Sequence, residues 1–283
     1  MPHELEFDEE NRKFDKALLE ARKMLANRVE GEPFNEFNVR GKLYDLAHQL
    51  APEARRGEID TIKEWLVPKR GERSLDVAAG SGFLTKYLLA WTSVPPVAID
   101  PSYSQLAALR RNAPETIVVH AYPDNARALK GFKDGHFDFA SSLGGIHHVA
   151  SQRAMFTNVA RVLRKGGRFV FADVCSDTLV SRHFDEVVAR KCLTGHTATW
   201  LSPARISELV KGLPLVAKRV EVITLYMRFS SERQMYLFFK GLHAYDLSQE
   251  EVLRDLGGVL GLSSVGGEVH LNWPLLFVSL EKV

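Results

Sequence analysis

Two carboxylates bracket a run of residues that have almost no side chain. Asp76 is followed by Ala78, Gly80 and Gly82, and Asp100 comes 24 positions after Asp76. A strand that passes through such small residues into a helix lets a ligand touch bare backbone, and the first turn of the helix offers unpaired N–H groups to an anionic group. An acid at the carboxyl end of the next strand is placed to accept hydrogen bonds from the hydroxyls of a ribose. The second candidate group is the pair His147-His148, since imidazole titrates near neutrality and can take a proton from a nucleophile. His196, His243 and His270 lie further along the chain, in irregular or variable stretches where each alone reads as surface or structural.

These groups need elements to hold them. The apolar spacing of Phe14, Leu18, Ala21 and Leu25 predicts an amphipathic helix within Met1–Asn35, ended by Gly31-Glu32-Pro33. Helices are expected over 38–50 and 53–66, separated by Pro52. From Glu72 a strand–helix rhythm begins, with strands at 74–78, 96–100, 116–120, 137–141 and 168–173. Helices are expected at 83–91, 104–112, 126–129 and 150–163. The last of these carries a basic final turn, Arg161 and Arg164-Lys165, to complement its dipole, and Gly166-Gly167 to stop it.

After Asp173 a helix is expected over 177–193, a polar linker over Thr194–Trp200, and a helix opened by Ser202-Pro203. A sixth strand spans 218–229, and a last strand lies within 269–282, after Pro274 or at an edge. Between them, Ser230–Gly267 reads as an insertion of two helices. Each opens with a capping box, Ser231 with Gln234 and Ser248 with Glu251, and Gly257-Gly258 stops the second.

Asp76-x-Ala78-x-Gly80-x-Gly82 resembles the first motif of class I S-adenosylmethionine-dependent methyltransferases, with alanine where glycine is usual. Phe137-Asp138-Phe139, Ile146-His147-His148-Val149 and Arg161–Gly167 extend the resemblance to the small-molecule branch, including the ubiquinone/menaquinone-type enzymes. The resemblance covers Ser74–Asp173 almost throughout. It implies an α/β fold: a doubly wound, seven-stranded Rossmann-like sheet whose last strand is antiparallel. It also implies S-adenosylmethionine as cofactor, its methionine part on the loop Ala78–Gly82 with its amino group near Asp76. Asp100, with Pro101 beside it, would take the ribose.

The family's Gly-Asp pair after strand three is replaced here by Ala121-Tyr122, so Asp124 either grips the adenine or caps a turn. Ser141 and Ser142 lie where relatives meet the sulfonium end. Tyr44, like Phe37, is either core packing or an aromatic of the pre-sheet region that touches the cofactor. His147 is either a base or a helix-start residue, because relatives with very different substrates share the pair. His196 is the second catalytic candidate.

The organisation expected is an N-terminal helical cap, 1–66, and a methyltransferase domain, 67–283, with the helical insertion at 230–267. Both outer segments are amphipathic and available to cover the cofactor crevice. A formal charge of +2 gives no general attraction to nucleic acid, and 45% hydrophobic with 25% charged residues is a soluble balance. No apolar run approaches the roughly 18 residues of a membrane span. Met1–Arg12 is too acidic and polar for a signal peptide. Cys175 and Cys192 fit neither a disulfide framework nor a metal spacing, which points to a reducing cytoplasm.

Several chemistries are excluded. No Asn-Pro-Pro-Tyr or Asp-Pro-Pro-Tyr follows the fourth strand, as base-amine methylation would want, and no Pro-Cys pair serves cytosine C5 attack. Gly80-Ser81-Gly82-Phe83-Leu84-Thr85 lacks the third glycine of a nicotinamide site. The expected activity is methylation of a small molecule, aromatic or partly apolar. Phe34, Phe37, Trp200, Tyr226, Phe238, Phe239, Tyr245 and Trp273 in the covering segments favour that class. The alternative is a protein that keeps the cofactor fold for binding or rearrangement without methylating. The oligomeric state is left open.

Overall fold

In the computed structural model, residues 2–29, 31 and 34–283 are described, with the side chains of the first helix from Asp8 onward. Five short apolar runs, β1 (Ser74–Val77), β2 (Val97–Asp100), β3 (Ile117–His120), β4 (Phe137–Leu143) and β5 (Leu163–Asp173), pair in parallel in the order β3-β2-β1-β4-β5. β1 and β2 are buried throughout, as parallel strands covered on both faces must be. The chain leaves β1 toward β2 on one side and reaches β4 on the other. The crevice at this reversal, beyond the carboxyl ends of the strands, is where open α/β sheets bind ligands.

Two long antiparallel strands complete the path, β8 (Glu268–Lys282) between β5 and β6 (Leu215–Phe229). A short strand, β7 (Leu262–Val265), pairs with the start of β8, which brings the sheet to eight strands instead of the expected seven. Gly266 and Gly267, both at positive φ, form the two-residue turn of this hairpin. Pro274 falls between the β7 pairing, which stops at Leu271, and the β5 pairing, which starts at Leu276. On that side of β8 it stands at an edge.

Side chains alternate across the sheet. Phe139, Val170, Ala172 and Phe277 join one core with helices α1 (Pro2–Ala26), α2 (Glu36–Leu50) and α3 (Arg56–Leu66). Ala140, Phe169, Phe171, Leu276 and Val278 join the other, under α6 (Gln152–Val162) and α9 (Pro203–Val210). Helices α4 (Thr85–Thr92) and α5 (Tyr103–Asn112) follow β1 and β2, each one or two residues from its expected start.

The covering helices pack on one another before they reach the sheet. α2 lies against α1, α5 and α10 (Glu232–Leu242). Gly241 permits the α2–α10 approach. A Cβ there would lie 2.6 Å from both the Leu43 carbonyl oxygen and Phe14 Cε1. α1 ends at Ala26, before the expected Gly31 stop; Glu32 and Pro33 of that stop lie outside the described residues.

Five expectations change. Residues 126–129 form turns, not a helix, and side chains of α6 hold carbonyls in and around them: Asn158 Nδ2 donates to Pro123 and Asn125, and Arg161 to Leu129 and Phe132. Arg161 is thereby a clamp on this segment. Strand β5 begins at Leu163, directly after α6, so Gly166-Gly167 lies within it. Helix α11 (Gln249–Leu260) runs through Gly257-Gly258 and ends instead at Gly261, φ +82°. Its capping box at Ser248 is complete, whereas Gln234 of α10 turns back to Ser230 and leaves the box at Ser231 half made. Residues 179–191 hold a short helix α7 (Leu179–His183), a π turn (Phe184–Val188) and a last helical turn α8 (Ala189–Lys191) in place of one continuous helix.

Candidate functional site

A cavity of about 320 Å³ opens at the carboxyl ends of β1, β2 and β4, in the size range of small-molecule sites. Its floor is Asp76 and Ala78–Gly80. The backbone turns left-handed twice here, with φ +55° at Ala78 and +54° at Gly80. A non-glycine residue in that region is strained by roughly 1–2 kcal/mol. The alanine methyl is accommodated because residue 145 is glycine: a Cβ at Gly145 would come within 2.6 Å of Ala78 Cβ.

Asp100 ties the two loops of this end together. Its Oδ2 accepts the Gly80 N–H at 2.9 Å and its Oδ1 accepts the Ser102 N–H at 2.8 Å. Asp76 accepts the Thr85 hydroxyl at 2.6 Å. Burial pushes Asp76 up to about 7, with the neighbouring Asp100 adding to the rise, and pushes Asp100 up to about 6, because its backbone N–H partners and His120 offset only part of the lost hydration. Gln105 Oε1, on the same wall, is buried without a hydrogen-bond partner.

The sequence-predicted cofactor residues divide in two. Asp76, Ala78, Gly80, Asp100, Pro101, Asp124 and Tyr44 all border the cavity. Asp124 also accepts the Ser151 N–H at 2.9 Å and so ties the wall to the start of α6. Gly82 does not border it. A Cβ there would meet Leu109 Cγ at 3.0 Å, so this glycine serves the approach of α5 to the loop. Ser142 does not border it either, because β4 continues to Leu143 and encloses Ser142 in the sheet; Leu143, Gly144 and Gly145 take the wall instead.

The opposite end is built from histidines. His147, in a 3₁₀ turn after β4, is buried, and its Nδ1 lies 2.5 Å from Asp173 Oδ1. Asp173, fully buried at the carboxyl end of β5, also accepts the N–H groups of Ile146 and Val174, both at 2.7 Å. It therefore fixes the imidazole and leaves Nε2, which has no partner, as the free nitrogen. His148 Nδ1 is 3.2 Å from the Thr197 carbonyl oxygen. His196, from the irregular connection after α8, stacks on Trp200 and also buries an unpartnered Nε2.

Burial, and then the neighbouring His147, push His196 down to about 2 and His148 well below the usual histidine range. A smaller chamber of about 70 Å³ continues behind His147 and His148, with Phe184, His243, Trp273 and Met227 in its wall. Arg40 is buried there too, with Nε unpartnered and Nη1 at 3.6 Å from Cys192 Sγ. His196 borders only this back chamber, and His147 borders both.

Sequence reasoning missed Asp173, Arg40, Gln105 and Thr197–Thr199. Asp173 alone had a usable signal, an acid closing a parallel strand on the ligand side of the sheet. Of the outer segments, residues 34–37 and Tyr44 border the main cavity, while the insertion reaches only the back chamber, through Leu242 and His243. Of the aromatic residues expected around an acceptor, Phe34 and Phe37 line the main cavity and Trp273 the back chamber. Phe238, Phe239 and Tyr245 are core, and Tyr226 is half exposed on β6.

Residues 75–171, which carry the floor loop, Asp100 and the histidine turn, match the family described as a methyltransferase domain. Residues 75–171 form a methyltransferase domain. An O-methyltransferase of Penicillium expansum, cnsE, is 34% identical over 40% of this chain and 41% of its own. A ubiquinone/menaquinone biosynthesis C-methyltransferase of Dinoroseobacter shibae is 31% identical over 47% of this chain and 54% of its own. The chain thus spans about half the length of the curated relatives it matches. Among solved structures, a putative methyltransferase from Bacillus halodurans superimposes with a TM-score of 0.57 at 14% identity, covering 80% of this chain and 99% of that one. That likeness is one of fold.

The cofactor of this methyltransferase domain is S-adenosylmethionine, and the residues present fit it. The group carries an ammonium and a ribose diol, and this end of the cavity offers two buried carboxylates, hydrogen-bonded to backbone N–H groups and the Thr85 hydroxyl, beside a bare backbone turn. Among the described residues no helix is long and apolar enough to cross a membrane.

Proposed function

We propose that the protein transfers a methyl group from S-adenosylmethionine to a small-molecule acceptor seated at the histidine end of the cavity. The observation that carries this reading is His147, clamped by Asp173 at 2.5 Å with a bare Nε2 where the main cavity meets the back chamber. The bound cofactor supplies an electrophilic methyl on a sulfonium. The chain's own contribution is to hold, align and exclude water. Asp76 would take the ammonium, Asp100 the ribose hydroxyls, and Asp124 with Tyr122 would hold the adenine. Gly82 and Ser142 support the walls from behind.

His147 faces the acceptor's nucleophilic atom and activates it. Phe37, Phe184, Trp273 and Met227 favour an acceptor with an aromatic or apolar part. The relatives named above are an O-methyltransferase and a C-methyltransferase, and a hydroxyl-bearing or enolisable acceptor suits both. We read 1–66 as a helical cap and 67–283 as the methyltransferase domain with its insertion at 230–267. The buried free thiols Cys175 and Cys192 support a reducing, cytoplasmic setting.

The test is incubation of the protein with methyl-labelled cofactor and a metabolite extract, read by mass spectrometry. A labelled small product with wild type, missing with His147→Ala, is expected. Saturated cofactor binding with no label transferred across broad extracts would overturn the reading in favour of a binding or rearrangement role.

A further inference from the structure

We infer that His147, His148 and His196 form a binding site for a divalent cation of the zinc class at the acceptor end of the cavity. The three residues each offer one nitrogen, and these atoms lie within 4.8 Å of one another. A tetrahedral ion with metal–nitrogen bonds of about 2.05 Å needs its ligand nitrogens about 3.4 Å apart. The rings therefore have to close by at most about 1.5 Å, a side-chain adjustment. The ring centroids are 4.1 Å apart for His147–His148, 5.0 Å for His148–His196 and 5.7 Å for His147–His196.

The hydrogen bonds around the cluster favour ligation over packing. A metal-binding histidine characteristically donates its other ring N–H to a carboxylate or a backbone carbonyl, which fixes the ring and its tautomer. His147 has that partner in Asp173, and His148 has it in the Thr197 carbonyl. Both then present Nε2. The Nε2 atoms of His147 and His196 are buried with no partner. As mere ring packing against Trp200 and Phe184, the cluster leaves two desolvated nitrogens unsatisfied, which is unfavourable.

Three imidazoles are also a donor set suited to zinc and its neighbours, which prefer nitrogen over the all-oxygen shells of magnesium or calcium. Three protein ligands leave a fourth position open, the pattern of a catalytic site. All three histidines line the back chamber and His147 and His148 also line the main cavity, so that position would open where the two meet. An acceptor oxygen placed on the ion would lose its proton more readily, and this is how His147 would activate it. Only that role rests on the proposed methyl transfer; binding of the ion does not.

The experiment uses the full chain, stripped with a chelator and dialysed against zinc, with metal content measured by mass spectrometry and affinity by calorimetry. Cobalt substitution supplies a second readout, since tetrahedral cobalt with imidazole ligands absorbs in the visible. One ion per chain is expected, with affinity reduced at least 30-fold in His147→Gln and in His196→Gln and unchanged in His270→Gln. His196 lies in irregular backbone, so its variant carries the test if His147→Gln fails to fold. Weak or substoichiometric binding, or equal affinity in His196→Gln and wild type, would overturn the site. Intact zinc binding without label transfer would break the functional reading alone, and label transfer without zinc binding would break the metal site alone.

Discussion

The two ends of the cavity are built on different plans. The cofactor end comes from adjacent pieces of chain: Asp76, the turn 78–80 and Asp100 belong to two neighbouring strands, and backbone does much of the work. The histidine end gathers side chains from the turn after β4, the end of β5, the connection 194–200 and α10. At the first end polar groups are carboxylates whose burial keeps them partly protonated. At the second they are imidazoles that burial keeps neutral. A cationic, hydroxylated ligand suits the first end, and a group that must be deprotonated or coordinated suits the second. On the proposed reading, the difference assigns binding to the first end and chemistry to the second.

The largest expected effect tests that separation. His147→Ala should lower turnover of the labelled acceptor by about 10²- to 10⁴-fold, the usual worth of an activating group. Calorimetry should show affinity for S-adenosylhomocysteine changed by less than about threefold, well under 1.4 kcal/mol. A parallel loss of affinity would merge the two ends into one unit.

Gly80→Val should do the converse. At φ +54° a β-branched residue is strained, and the turn that places the Gly80 N–H on Asp100 cannot form without cost. Affinity for S-adenosylhomocysteine should fall by about 100-fold or more, near 2.7 kcal/mol. Normal binding by this variant would count against the floor loop as the cofactor cradle.

Gly241→Ala probes the cap instead of either end. Its new methyl meets a backbone oxygen, which cannot rotate away as a flexible side chain would. A destabilisation of about 1–3 kcal/mol is expected in denaturant melts, with cofactor affinity kept. A loss of affinity larger than the loss of stability would make α10 part of the cofactor site.

The smallest effect is on pH. Asp76 and Asp100 stand at about 7 and about 6 in the ligand-free protein, above the usual aspartate value. The folded state therefore holds more protons than the unfolded chain between about pH 4 and pH 7, so this contribution to stability declines as pH rises through that window. Binding the ammonium and diol requires the ionised acids. The thermal shift given by S-adenosylhomocysteine should accordingly be several degrees larger at about pH 8 than at about pH 5.5. A shift independent of pH would show that the carboxylates are ionised before the ligand arrives.

What the sequence determined by itself was everything that depends on short spacing. Strand, small-residue turn and helix follow one another within Ser74–Trp91, and period-two and helical patterns locate the elements to within a few residues because each is driven by local burial. Asp76 and Asp100 were legible for the same reason, as each ends or interrupts an apolar run that must be a buried strand. Only the tertiary structure decided the rest. Residues 126–129 had helical composition, but they form turns whose surrounding carbonyls are held by Asn158 and Arg161 of the distant α6. Ser142 was one residue too early because the length of a strand is set by its neighbour, and β5 pairs with β4 through Leu143. His147 and His196 were visible as separate candidates but not as parts of one site. The orientation of His147 comes from Asp173, 26 positions away, and its company from His196, which no local pattern could bring within reach.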